Sequence, residues 1–566
     1  MKKRFFELYS KASQNNGLFI VLCFSYIVYI FLLSVINKTV AQVVNFASLA
    51  LCFLLIAAVG MDLKRFFKTP DAKILVCSAL LALSLTGLLV RLAEVYLNIS
   101  LPFYIKAAVC ILLFIAAVLF WTAVKSFVQI LLETETRFPA EKDSGVFWIV
   151  FFFSVNSLFL LWSIYYPSGV STDTWNQLAQ IRGDIPYSDI HAIAHTIFLK
   201  LLFRIGENFS AVIFVQICGV GFINAFFAQW LNGRGLPLIW ILPPLAFNLA
   251  GCSRFILCYV YPWKDAPYTF CLCYICYMTI RLINQPGKKP GVLKAALLGV
   301  ALAFASLFRY NGIIASVFCG GWLFVYFLKN KAWKPFAATL FAAAISVAAV
   351  SLYSGKVLHT QSPENGFSVQ VFGSGIAAVV AGEGNISPEL LSRIEEIFSI
   401  DYIKENYKPW ETKRLIWTDE TGIAGEFKDR PDLQVFNNRF VLAMGERRQE
   451  LVRLYLELLP RNPGLMARDV IYNTYAVWGT EFYQDYFYSN SLAVLAILFL
   501  ALEFWGKAMI KRHWAVFAPV ACNMISVAIS TITNETRYLL PTFALFPFLL
   551  MYVLWAAGRS SGYFQD

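Results

Sequence analysis

The sequence predicts an all-α polytopic membrane protein with about 14 transmembrane helices and a large polar loop domain on one side. Three observations predict it. Of 566 residues, 58% are hydrophobic, 16% are aromatic and only 14% are charged, where soluble domains carry about 25% charged residues. Apolar runs of roughly 17–22 residues recur from end to end, each long enough to cross a hydrocarbon layer about 30 Å thick. Lys and Arg fall mainly in alternate short connectors between these runs, which is where they set membrane orientation.

Taken in order, the spans are Gly17–Ile36, Gln42–Gly60, Ile74–Val90, Phe103–Val124, Val146–Tyr165, Phe209–Leu231 and Leu236–Ala250. They continue with Ala266–Ile283, Val292–Leu307, Ile313–Leu328, Phe336–Leu352, Ser491–Trp505, Trp514–Ile532 and Leu539–Ala557. Met1-Lys2-Lys3-Arg4 precedes the first run without a small-residue cleavage pattern, so an uncleaved first helix is expected. The basic connectors run from Lys64, Arg65, Lys68 and Lys73 through Lys125, Arg137, Lys142 and Arg234 to Arg281, Lys288, Lys289 and Lys294. Lys329, Lys331 and Lys334, then Lys507, Lys511 and Arg512, complete the series and put both termini in the cytoplasm. A net charge of +12 is thereby explained by topology, and no nucleic-acid partner is expected.

Two long polar segments remain, Tyr166–Asn208 and Ser354–Asn490, both on the outer side by this alternation. The chain divides into a four-helix membrane bundle (1–145), a membrane core (146–353) with the first outer loop (166–208), an α-rich loop domain (354–490) and a three-helix segment (491–566). Within the loop domain, Pro388–Phe398 and Gln434–Leu459 read as helices. The 12 cysteines lie almost wholly inside spans and read as packing residues, with a Cys252–Cys258 bridge as the one pairing worth testing.

The chemistry-bearing residues gather on the outer side. Asp173 lies just beyond a span, where an apolar wall raises a carboxylate's proton affinity and suits it to general base work, although a helix N-cap or a solvated loop residue explains it equally well. His191 and His195, two of only four histidines, share one face of a helix and suit contacts to phosphate or acceptor better than a metal with no third ligand in view. Trp263-Lys264-Asp265 opens a span, Arg309 sits in a short connector and Arg537 abuts the last span. Cations there run against the inward bias and mark function, an interfacial anchor, or an ion pair such as Arg309 with Asp265. No P-loop, dinucleotide fingerprint, HExxH motif or nucleophile elbow is present.

From Val146 to Ala557 these motifs together resemble bacterial membrane proteins of the DUF6020 type, which look like members of the GT-C glycosyltransferase superfamily. The resemblance rests on Tyr166-Pro167, Ser171–Thr174, His191–Thr196, Trp263-Lys264-Asp265, Arg309-Tyr310-Asn311-Gly312 and Arg537-Tyr538. Thr172 and Ala192 stand where that family commonly has proline. The resemblance implies a GT-C-like core in the bacterial plasma membrane. It also implies a sugar donor on a polyprenyl phosphate, an extracytoplasmic glycan, lipid or protein acceptor, and catalysis by Asp173. On that reading Lys264, Arg309 and Arg537 bind the donor phosphate, while His191, His195, Trp263 and Asp265 orient donor or acceptor. No cofactor is required by these residues, and a divalent metal stays open. A lipid-linked oligosaccharide flippase or a surface-polysaccharide ligase or polymerase are the alternatives.

Overall fold

In the computed structural model the described residues are 72–91, 102–133, 145–236, 257–285, 289–361, 369–409, 444–483, 486–530 and 536–560, with a few isolated positions between them. Among them nine helices are long and apolar enough to cross a membrane, which makes this a multi-pass membrane protein. The expected spans Gly17–Ile36 and Gln42–Gly60, and most of Leu236–Ala250, lie outside the described residues, as does Cys252. Two other expected spans form shorter helices, Val292–Phe308 with 17 residues and Asn490–Phe504 with 15. Cys258 is buried.

Burial differs among the spans. The last helix, Leu540–Ser560, belongs to a span whose window is 78% buried, while the windows of Phe103–Thr122 and Trp333–Val357 are only 6% buried. Among the described spans the last two are thus the most exposed, and the C-terminal helix is the most buried. Phe548 of that helix stacks on Phe227 with ring centroids 4.4 Å apart, and Trp555 meets Trp230 at 5.2 Å. Such aromatic contacts contribute packing energy beyond their buried area.

The spans are less cleanly apolar inside the bundle than hydropathy predicts. Asn224 donates to Ser154 Oγ at 3.0 Å, Asn284 to the Tyr552 hydroxyl at 2.9 Å, and Tyr268 to Asn523 Oδ1 at 3.1 Å. Each amide is buried yet satisfied, so these bonds hold helices together where apolar contact alone gives no net attraction over lipid.

The basic connector residues meet at one end. Lys73 and Lys125 converge on Glu503, Lys289 donates to the Lys331 carbonyl, Arg512 to the Ile283 carbonyl, and the Trp555 indole to the Arg234 carbonyl. Asp173, Lys264, Arg309 and Arg537 meet at the opposite end, as described below.

Residues 369–466 build a core of their own from Ile376, Val379, Leu390, Ile394, Ile403, Leu451, Leu454, Leu458 and Met466. Its helices are Gln370–Ala381, Pro388–Glu395, Ile400–Asn406, Arg448–Leu458 and Pro463–Asn473. Residues 434–443 of the expected second helix lie outside the described residues. Arg393 ties two of these helices by bonding Glu450 at 2.6 Å and Glu457 at 2.9 Å. The described residues are helical as expected apart from one short antiparallel hairpin, in which Thr480–Tyr483 pairs with Tyr486–Ser489. Thr480, Phe482, Tyr483, Tyr486, Phe487 and Tyr488 are β-branched or aromatic, which favours a pleated strand over another helical turn.

Helices Val292–Phe308 and Trp333–Leu352 approach closely at Gly299, where a Cβ would strike the Thr339 carbonyl. Gly299→Val should therefore destabilise the protein by about 1–3 kcal/mol through overpacking, lowering the unfolding temperature in detergent. Leu297→Val, at a 47% exposed position on the same helix, should leave it nearly unchanged; equal effects would refute the close contact.

Candidate functional site

The first long loop folds into two short helices, Thr172–Arg182 and Ile193–Phe203. Ser171 caps the first by accepting from the Thr174 amide at 3.4 Å, and Gly183 ends it at φ 86°. The capping role weighed for Asp173 thus belongs to Ser171. Asp173 lies in the first turn, where the positive end of the helix favours a carboxylate.

At helical spacing Asp173 is followed by Asn176, Gln177 and Gln180, a polar stripe that points inward. Asn176, Gln177 and Gln180 are at most 2% exposed, and the Asp173 side chain is 26% exposed. Gln180 donates to Asn176 Oδ1 at 2.9 Å and to Ser188 Oγ at 3.3 Å. Leu178 on the opposite side packs with Leu199, Phe209 and Val212 and seats the helix.

A second segment closes over this helix. Gly169 donates its amide to the Val260 carbonyl at 3.0 Å, and a side chain at 169 would strike the Tyr261 ring. Trp263 then reaches Ser171 Oγ through its indole N–H at 2.7 Å. This backbone path brings Lys264 beside the loop, where its ammonium lies 3.4 Å from His191 Nδ1.

The third contribution comes from the start of the last span. Arg537 donates to Asp173 Oδ2 at 2.9 Å, and its guanidinium lies 5.1 Å from the Trp263 ring centroid and 5.2 Å from that of Tyr538. Two aromatic faces thus hold the cation against the carboxylate.

Arg309 faces another way. Its guanidinium pairs with Asp265, with side chains 6% and 0% exposed, and lies 4.5 Å from the Tyr538 ring and 5.5 Å from the Tyr268 ring. Of the readings open from sequence, the geometry here is that of the Arg309–Asp265 ion pair. The neighbouring Tyr310 hydroxyl donates to the Asp189 carbonyl at 2.6 Å and ties this connector to the first loop.

The electrostatics follow from that geometry. Burial opposes the charge on Asp173, but Arg537, with Lys264 behind it, outweighs burial and holds the carboxyl well below the usual carboxylate range. A raised proton affinity, expected from an apolar wall, is therefore reversed by the adjacent guanidinium. Burial, reinforced by Lys264, pushes His191 down to about 4 and His195 well below its ordinary value, so both rings are neutral at physiological pH. Burial also lowers Lys264, against the pull of Asp173.

All eight residues singled out from sequence lie at this end of the spans: Asp173, His191, His195, Trp263, Lys264, Asp265, Arg309 and Arg537. Ser171, Thr196 and Tyr538, quoted in the sequence motifs but given no role there, belong with them, and Gln177 escaped sequence reasoning. The signal for Gln177 was its place in the Asp173, Asn176, Gln177, Gln180 stripe, a polar helix face immediately after a span. Among the described residues no group of three or more His, Cys, Asp and Glu side chains assembles that could hold a metal ion.

No family model matches the chain, the DUF6020 type included, and no curated protein matches it. Among solved structures it is similar to the arabinosyltransferase EmbB from Mycobacterium smegmatis, with 13% identity and a TM-score of 0.25. The match covers 81% of this chain and 45% of that one, so the chain spans a little under half of its neighbour. A likeness of that degree assigns neither reaction nor substrate.

The Asp173–Arg537 pair sets a pH signature. A carboxyl whose folded-state pKa is depressed stabilises the fold above its unfolded value of about 3.9 and loses that contribution only as pH falls through the folded value. Arg537→Gln should therefore lower the unfolding temperature by the same amount at pH 7 and pH 5, the difference from the unsubstituted chain closing only below about pH 4. A difference that fades between pH 7 and pH 5 would contradict the assigned direction.

Proposed function

We propose that the chain is a membrane glycosyltransferase that moves a sugar from a polyprenyl-phosphate-type lipid donor to an extracytoplasmic acceptor, with Asp173 as general base. The observation that carries this reading is the meeting of a half-buried carboxylate with Lys264 and Arg537, beside the Trp263 indole, at one end of the spans. Transfer from a lipid phosphate needs those groups together, a base for the acceptor hydroxyl and cations for the departing phosphate. A donor anchored by its own tail needs no nucleotide site, in keeping with the absence of nucleotide motifs from the sequence.

In the proposed step the acceptor oxygen attacks the anomeric carbon while the bond from that carbon to the phosphate oxygen breaks. The hydroxyl proton passes to Asp173, the bonding pair leaves on the polyprenyl phosphate, and the anomeric centre inverts. Arg537 links the two halves of the reaction. A donor phosphate that draws Arg537 towards itself relieves Asp173 of its nearest cation and raises its proton affinity when a base is needed. Lys264 stabilises the same phosphate. Arg309, committed to Asp265 between two rings, serves as a positioning residue behind Lys264 and adds charge at longer range. His191, His195 and Trp263 orient the sugar or acceptor, and the 354–490 domain covers the site.

The same reading includes a GT-C-like core of DUF6020 type, a bacterial plasma-membrane location, cytoplasmic termini and an outward-facing site. Cysteine placed at 264 should react with an impermeant reagent from outside, and cysteine at 289 only after permeabilisation. Labelling of position 289 from outside would overturn the orientation. Asp173→Asn keeps the size but cannot take the proton, so transfer from a polyprenyl-phosphate sugar should fall by about 10²–10⁴-fold with folded yield maintained. Retention of a third of the turnover, with chemistry rate-limiting, would remove Asp173 from the base role.

A further inference from the structure

Gln177 decides what His195 can do. It donates from Nε2 to Thr196 Oγ1 at 2.9 Å, which turns its carbonyl oxygen to His195 Nδ1 at 3.1 Å. An amide oxygen only accepts, so Nδ1 carries the ring proton and Nε2 is left with a lone pair. Gln177, His195 and Thr196 are all buried, and His195 Nε2 has no partner among the described residues. His191, four residues earlier, is set the other way. The Lys264 ammonium at 3.4 Å is purely a donor, so His191 Nδ1 accepts and the ring proton sits on Nε2.

A buried acceptor without a donor is costly, and the cost disappears when an O–H group fills the place. We propose that Gln177 is a positioning residue that fixes His195 as a hydrogen-bond acceptor, and that a hydroxyl of the transferred sugar donates to His195 Nε2. The sugar half rests on the glycosyltransferase reading; the ring-proton half does not. Water offers the same O–H chemistry, and substrate analogues separate the two sources. A site built to bond a hydroxyl rejects the analogue that lacks it, because its own buried polar atom is then left bare.

The test uses the full chain in lipid bilayers. Nitrogen-15 histidine labelling with solid-state NMR reports which ring nitrogen holds the proton. The His195 signal is identified by its loss in His195→Phe or, should that variant not fold, by elimination with His191, His359 and His513 replaced one at a time. The unsubstituted chain should show the proton on Nδ1, Gln177→Glu should keep it there, and Gln177→Leu should release it to a mixture. A proton on Nε2 in the unsubstituted chain overturns the role of Gln177. For the sugar, undecaprenyl-phosphate hexoses each lacking one hydroxyl serve as donors. One deoxy donor should lose about tenfold in kcat/KM, a factor in line with one lost hydrogen bond, and should lose nothing further in Gln177→Leu or His195→Phe. Independent losses throughout the series would assign the place to water and overturn the sugar contact. If the unsubstituted chain transfers no hexose, the transferase reading and the sugar contact fall together, while the ring-proton result still decides Gln177.

Discussion

The buried pair between Asp265 and Arg309 is the interaction on which this end of the molecule depends. An isolated buried charge is strongly disfavoured and survives only when paired and held in good geometry. The pair joins the start of one span to the end of the next. Arg309 also lies against Tyr268 and Tyr538, the latter beside the last span, so three elements share one cation. Lys264 and Arg537 are the immediate chain neighbours of Asp265 and Tyr538. Fixing the buried pair therefore fixes where those two cations stand relative to Asp173.

Asp173 then faces opposing demands. A carboxylate clasped by Arg537 at 2.9 Å stays ionised throughout the physiological range, yet it is a weak base for as long as the clasp lasts. The Trp263 and Tyr538 rings lie 5.1 and 5.2 Å from the Arg537 guanidinium and add cation–π attraction to its bond with Asp173. On the proposed transferase reading, a base that is active only in the presence of a phosphate avoids spending the donor on water. On the same reading the neutral histidines beside Lys264 suit contacts to hydroxyl groups and do not compete for a phosphate.

Much of the site was legible in the sequence because ionisable residues at span ends are conspicuous. Asp173, Lys264, Asp265, Arg309 and Arg537 stand out against apolar runs, and even the Arg309–Asp265 pairing could be named as one alternative. Gln177 was not legible in that way, since one amide among several on a polar helix face has no cost attached until burial is known. The sign of the Asp173 shift was also beyond reach, because Asp173 and Arg537 are 364 residues apart in the chain. Hydropathy likewise passed over the hydrogen-bonded Asn224, Asn284 and Asn523, each masked by the apolar residues around it.

By itself the sequence determined the class of molecule, the bounds of most spans and which span ends carry unexpected charge. Those properties follow from local composition against a hydrocarbon layer of set thickness, which needs no knowledge of neighbours. Only the tertiary structure decided partners: that Arg537 takes Asp173 while Arg309 takes Asp265, that Ser171 caps the helix, and that Gln177 turns the His195 ring. Partner choice depends on distances of a few ångströms between residues tens to hundreds of positions apart, and on burial that sets how much each charge or lone pair matters.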